Sequence, residues 1–369
     1  MGVRKKPKYY TLKRILEYKA HYNMIIGERS NGKTYACLEY ALEQFTTKGE
    51  QFAYIRRWQD DIKGKRVSTI FNAIISNGLI AKYSGGEWTD IYYFGGKFYL
   101  SRTDEESGKI IKSDKPFGYA FAISSMEHDK STSYPEITTV IFDEFLTRSY
   151  YLPDEFILFS NCLSTIIRDR TNVIIFMLGN TVNKYCPYFS EMGLKHIKDM
   201  EQGTIDLYTY GDYELKVAVE YCGSRESKPS DLYFAFDNPK LNMITGGTWE
   251  ISIYPHCPTK YRPKDIIFIF FIEFDNELLQ CEVVNLENGM FLFIHRKTTP
   301  LKDTTRDLIY TTTPHYQPNY RMRITHPIDD IDRKLLYFFN SNLVFYQDNE
   351  VGEIIRNYFQ WSKQFNQLN

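Results

Sequence analysis

Two short stretches carry residue types whose spacing suits polyphosphate chemistry. In the first, MIIGERSNGKTYA (residues 24–36), Gly27 and Gly32 bracket four residues and lead directly into Lys33 and Thr34. The pattern is G-x-x-x-x-G-K-[ST], a loop whose amides, together with the N-terminus of the next helix, point at an anion. In that geometry Lys33 reaches the β- and γ-phosphates of a nucleotide and the Thr34 hydroxyl ligates Mg²⁺. Gly27, Glu28, Arg29, Ser30, Asn31, Gly32, Lys33, Thr34 and Tyr35 are therefore the candidate ATP-binding stretch. In the second, TTVIFDEF (138–145), an apolar run ends in two consecutive carboxylates, Asp143 and Glu144. The first acid can hold Mg²⁺ through its water shell and the second can polarise an attacking water. Paired acids also occur in ordinary exposed turns, so their weight comes from following a phosphate loop.

These residues need strands and helices to present them. YNMII (22–26) reads as a buried strand, and KTYACLEYALEQF (33–45) as a helix with Ala36, Leu38, Ala41, Leu42 and Phe45 on one side. QFAYIRRW (51–58) reads as a second strand ending in Arg56 and Arg57, and VSTIFNAIISNGLI (67–80) as a helical pattern closed by Gly78. DIYYFGGKFYLSR (90–102) reads as a hairpin turning at Gly95-Gly96, and GYAFAISS (118–125) as a strand. EFILFSNCLSTIIRDR (155–170) is a predicted helix ending in Arg168 and Arg170. NVIIFMLGN (172–180) is a predicted buried strand tipped by Asn180, which either senses the γ-phosphate or simply ends the strand. The alternation predicts an α/β domain with a mostly parallel sheet and nucleotide at the C-terminal strand ends. A paired-acid strand separate from the loop strand points to a RecA-like ATPase.

Composition bounds the rest. The chain has 369 residues, enough for two domains, with 43% hydrophobic and 25% charged residues. Net charge is −1, so nucleic-acid binding must come from local patches, such as the short basic arm MGVRKKPKYY, which also reads as a solvated tail. The six cysteines show no zinc spacing and read as reduced thiols. No apolar segment follows the initial charges, Lys6 occupies the position where myristoylation needs Ser or Thr, and the longest apolar run, IIFIFFI (266–272), is too short to span a bilayer. A soluble, intracellular protein is expected.

Residues 1–198 are the expected ATPase domain, 199–228 a linker where GDYELKVAVEYCGSRESKPSD turns polar, and 229–369 a smaller second domain. There DLYFAF, TWEISIY, DIIFIFFIEF, LLQCEVVN and MFLFIHRK read as strands, and the tail as helical. Its acids, Glu273, Asp275, Asp329, Asp330 and Asp332, read as turn residues and a helix N-terminal cluster rather than a two-metal nuclease site.

The chain resembles the DNA-packaging motor ATPases of tailed phages of the phi-29 kind, a terminase-like group. The match rests on IIGERSNGKTYA, GEQFAYIRRW, STSYPEITTVIFDEF and STIIRDRTNVIIFMLGNTVNKYCPYF in that order, across much of residues 20–190. The resemblance implies a RecA-like ATPase domain, a linker, and an RNase H-like domain (a vestigial nuclease) that binds DNA and docks on the portal. It implies a homomeric ring, usually a pentamer, on the portal (connector) of a prohead in the host cytoplasm, pumping double-stranded DNA inward. It leaves the need for a packaging RNA open and implies no membrane partner. By resemblance Asp143 supports the metal, Glu144 is the catalytic carboxylate, and Arg168 is the finger acting on a neighbour's ATP. A lysine that the family can carry after the second strand is Gln59 here, with Arg57 or Arg148 as candidate substitutes. The alternatives are another RecA-like nucleic-acid-dependent ATPase, a P-loop kinase, or a module that binds nucleotide only to order its subunits.

Overall fold

The computed structural model describes residues 9–125, 133–147, 151–152, 154–181, 186–212, 214–223, 249, 254–274 and 276–363. The chain forms two compact units, Met1–Glu250 and Ile251–Asn369. Arg148, Asp275 and the predicted strands DLYFAF and, apart from Trp249 and Tyr254, TWEISIY lie outside the described residues.

In the first unit the strands are β1 (Tyr22–Gly27), β2 (Gln51–Arg56), β3 (Asp90–Phe94), β4 (Lys97–Thr103), β5 (Ile110–Lys112), β6 (Gly118–Ala122), β7 (Ile137–Asp143), β8 (Ile174–Asn180), β9 (Ile205–Tyr210) and β10 (Leu215–Tyr221). They form one sheet in the order β3-β4-β6-β2-β7-β8-β1-β10-β9, with β5 on β4. From β6 to β10 every neighbouring pair is parallel, and antiparallel strands close both edges. Because side chains alternate, each central strand feeds two cores: Met24, Ile26, Val140 and Phe142 pack on one face, Ile25, Ile141, Phe176 and Leu178 on the other. Helix α1 (Lys33–Lys48) buries Ala36, Leu38, Ala41 and Leu42 in the second core, and helix α2 (Glu155–Ile167) buries Phe159, Cys162, Leu163 and Ile166 in the first.

Two expectations change. The span 67–80 is not one helix: short turns end at Ser68, Phe71 and Ser76 before Gly78 starts another. Polar residues there compete for the backbone, as when Thr69 Oγ1 donates to the Arg66 carbonyl at 2.6 Å. The polar stretch after residue 199 is not all linker, since β9 and β10 lie inside it and complete the large sheet. β10 is buried despite Glu220, whose carboxylate accepts from the Tyr10 hydroxyl at 2.7 Å.

The second unit has β11 (Ile266–Phe274), β12 (Glu277–Leu286), β13 (Gly289–Arg296), β14 (Ile309–Tyr310), β15 (Tyr320–Arg321) and β16 (Val344–Tyr346), with helices α3 (Asp330–Asn340) and α4 (Asn349–Lys363). Its sheet runs β15-β14-β11-β12-β13-β16. The β11–β13 meander is antiparallel, and β14, β15 and β16 add in parallel. Asp329 caps α3 by accepting from the Asp332 amide at 2.9 Å, and Arg321 pairs with Asp329 at 2.6 Å and with Asp332. Glu273 is exposed on β11. Among the described residues no group of three or more His, Cys, Asp and Glu could hold a metal ion, and no helix is long and apolar enough to cross a membrane.

Candidate active site

The sheet order places the two motifs side by side. β8 lies between the loop strand β1 and the acidic strand β7, with Gly27 opposite Asn180 and Asp143 opposite Leu178. All three strands therefore end at one edge, where α1 begins. There a cleft of about 1170 Å³ is lined by Arg29, Ser30, Asn31, Gly32, Lys33, Thr34, Tyr35, Asp143, Glu144 and Asn180, together with Tyr9, Tyr10 and Thr11.

The two loop glycines are needed for different reasons. Gly32 caps α1 at φ +96°, a left-handed conformation that favours glycine. Gly27 needs no such φ; a Cβ there would stand 2.8 Å from the Cβ of Cys222, just past β10. Gly27→Ala is therefore expected to cost about 1–3 kcal/mol by overpacking and to weaken ATP binding by shifting the loop. Adding Cys222→Gly removes the opposing atom and should restore much of the affinity. Denaturant unfolding and ATP titration check both, and a single variant as stable as the parent would sink the packing explanation.

Within the loop, Lys33 Nζ donates to the carbonyls of Gly27 at 3.3 Å and Glu28 at 2.7 Å and to Asn180 Oδ1 at 3.4 Å. Asn31 Oδ1 accepts the Lys33 amide at 3.2 Å. Glu28 is buried beneath the loop, whereas Arg29 and Ser30 are exposed at its tip. Tyr35 turns sideways, its hydroxyl accepting from Asn77 at 3.1 Å. Thr34 Oγ1 lies 3.2 Å from Asp143 Oδ2, which also accepts from the Tyr54 hydroxyl at 3.0 Å. Desolvation pushes the Asp143 carboxyl above its usual range, against the Arg56 guanidinium and the Tyr54 and Thr34 hydrogen bonds, which pull it down. A half-buried carboxylate beside a hydroxyl is an oxygen donor set that suits Mg²⁺.

Glu144 follows at φ +59°, its carboxylate exposed and held by Arg56 Nη2 at 2.7 Å. The sequence names Arg56 only as a strand end and does not single out Tyr54; both are on β2, two residues apart and therefore on one face. Tyr9 and Tyr10, read as part of a basic arm, lie against the loop: the Tyr10 amide donates to the Asn31 carbonyl at 2.9 Å.

The structure separates the arginines. Arg57 is buried and paired with Glu155 at 2.7 Å, so it is not available for a contact across a subunit boundary, contrary to the expectation above. Arg170 is spent on its own chain, donating to the carbonyls of Tyr134, Pro135, Ile137, Ile166 and Ile167. Arg168 is exposed at the C-cap of α2, six residues before β8 begins at Ile174, whereas Asn180 ends that strand. The structure thus gathers the loop, Thr34, Asp143, Glu144 and Asn180, and sets Arg168 apart from them.

The chain is 25% identical over 339 residues to a DNA packaging protein of Bacillus phage PZA, covering 90% of this chain and 86% of that one. It is 24% identical over 340 residues to the DNA packaging protein of Bacillus phage phi29, with the same coverage. Its fold matches a chain of the bacteriophage Phi-29 viral genome packaging motor assembly at a TM-score of 0.59 and 22% identity, over 96% of this chain and 99% of that one. It likewise matches the Phi-28 gp11 DNA packaging motor at a TM-score of 0.56 and 19% identity, over 96% and 98%. The podovirus DNA encapsidation protein (Gp16) family model matches residues 4–364, and the chain belongs to that family.

Proposed function

We propose that this chain hydrolyses ATP in the cleft and uses the energy to drive double-stranded viral DNA into a preformed prohead. The observation that carries the reading is the meeting of Thr34 and Asp143 at 3.2 Å, with Asn180 between the motifs and Glu144 next in the chain, in a member of a DNA encapsidation family. Lys33 and the loop amides hold the phosphates. Thr34 and Asp143 would hold Mg²⁺, which would offset phosphate charge there. Glu144 accepts the proton of the attacking water once its carboxylate leaves Arg56. Arg168 does not line its own cleft, and it acts on the ATP of a neighbour in a homomeric ring, a pentamer by family resemblance, seated on the prohead portal.

The second unit is, on this reading, an RNase H-like relic that contacts DNA and the portal. An antiparallel meander extended in parallel from its first strand supports that fold, and the engagement of Asp329 and Asp332 by Arg321 supports a structural role for those acids.

The test combines the purified chain, proheads of the cognate phage and viral DNA, and measures DNA protected from DNase. Protection that requires ATP, with hydrolysis stimulated by DNA, is expected. Hydrolysis indifferent to DNA, or phosphate transferred to a small acceptor, would overturn the reading in favour of another ATPase or a kinase.

A further inference from the structure

Glu144 is a non-glycine residue in the left-handed region, at φ +59°. Such conformations persist only where surrounding structure over-determines them, and they gather at functional sites. The amides of the turn are held by Asp143 Oδ1 and the Leu178 carbonyl, and its carbonyls by Arg57. Arg57 Nη1 donates to the Glu144 carbonyl at 3.2 Å and Nη2 to the Phe145 carbonyl at 2.7 Å, so one guanidinium grips two successive peptide groups of the catalytic turn. The guanidinium is itself fixed. Nε and Nη2 donate to the two Glu155 carboxylate oxygens at 2.7 and 2.8 Å, and the Tyr151 ring lies 4.9 Å away. Glu155 in turn accepts from the Leu152 amide at 2.7 Å and the Tyr188 hydroxyl at 2.9 Å. Arg57 and Glu155 are 5% and 1% exposed, and neither lines the nucleotide cleft.

We propose that Arg57, anchored by Glu155, is a positioning residue that sets the backbone of Glu144 so that its carboxylate meets the attacking water. The proposal rests on the assignment of Glu144 as the base. A buried ion pair of this kind is not needed for stability as such, since apolar replacements of similar volume often do as well. What an apolar pair cannot supply is a planar fork of donors in fixed geometry. With the fork gone, the turn relaxes and the carboxylate moves, whereas the phosphate loop, on other strands, does not.

The decisive variant is Arg57→Lys in the full chain. It keeps the charge opposite Glu155, but a single ammonium cannot satisfy both carbonyls and both carboxylate oxygens. ATP affinity should stay within about twofold while kcat falls roughly 10- to 100-fold, the scale of a misplacement near 1 Å. A second variant, Arg57→Met with Glu155→Leu, removes the pair without leaving a lone buried charge and should show the same split. Wild-type kcat in a folded variant of either kind overturns the proposal, as does equal loss of affinity and kcat. Parent protein measured alongside separates the two ideas: if it does not hydrolyse ATP the functional reading fails, and if it does while the folded variants match it, only the role of Arg57 fails.

Discussion

Glu144→Gln should bind ATP with near-parental affinity and hydrolyse it roughly 10²- to 10⁴-fold more slowly, the range for loss of a general base. The amide is nearly isosteric with the carboxylate, so the turn at φ +59° and its neighbours have no reason to move. What is lost is a proton acceptor. The substitution also removes the charge that Arg56 holds at 2.7 Å, and because that pair is exposed on the Glu144 side, stability should change little. Lys33→Ala gives the opposite pattern, because Lys33 sits in the loop itself and its ammonium is bound there by carbonyls of Gly27 and Glu28, ready to turn to phosphate. That variant should lose binding first. Fluorescent-nucleotide titration and single-turnover hydrolysis separate the two, and turnover near the parental rate in Glu144→Gln would remove Glu144 from the role.

Arg168→Ala should bind ATP almost normally and fail to hydrolyse it, with a loss of roughly 10³-fold, the scale of an arginine finger. The geometry makes the trans assignment testable, because Arg168 precedes β8 at the end of α2 and lies outside the cleft, whereas Asn180 ends β8 inside it. Mixing Arg168→Ala with Glu144→Gln subunits, each inactive alone, creates interfaces with an intact Glu144 on one side and an intact Arg168 on the other. Partial hydrolysis should return in mixed rings. Mixed rings that form and stay silent at every ratio would show that the trans assignment of Arg168 is wrong.

What could be read from the sequence was what is encoded locally. The phosphate loop declared itself because a glycine at φ +96° and the Lys-Thr that follows are neighbours in the chain. The acidic strand and α2 were legible from apolar runs of the right length. The partners were not legible. Arg56 and Arg57 are adjacent and therefore point to opposite sides of the chain at the end of β2, one to the exposed Glu144 carboxylate and the other to the buried Glu155. Nothing near them says which, because Glu155 is 98 positions away from Arg57. The same holds for β10, where Glu220 breaks an apolar run and suggests solvent; its partner Tyr10 lies 210 positions earlier. Periodicity records which face a residue occupies, and it carries no record of which distant side chain completes a buried charge.

The cysteines give the molecule a built-in labelling pattern. Five of the six, Cys37, Cys162, Cys186, Cys222 and Cys281, are buried, and Cys257 alone is half-exposed. Burial pushes the Cys37 and Cys281 thiols up, and those of Cys186 and Cys222 up to about 12. At pH 8 a thiol with that pKa is thiolate in only about one molecule in 10⁴, so a maleimide has little to attack there. The native chain should therefore take up one dye, at Cys257 in the second unit, with no cysteine removed beforehand. Fluorescence polarisation from that single dye follows the second unit through an ATP cycle, and uptake of further dye reports that the buried interior of one of the two units has opened.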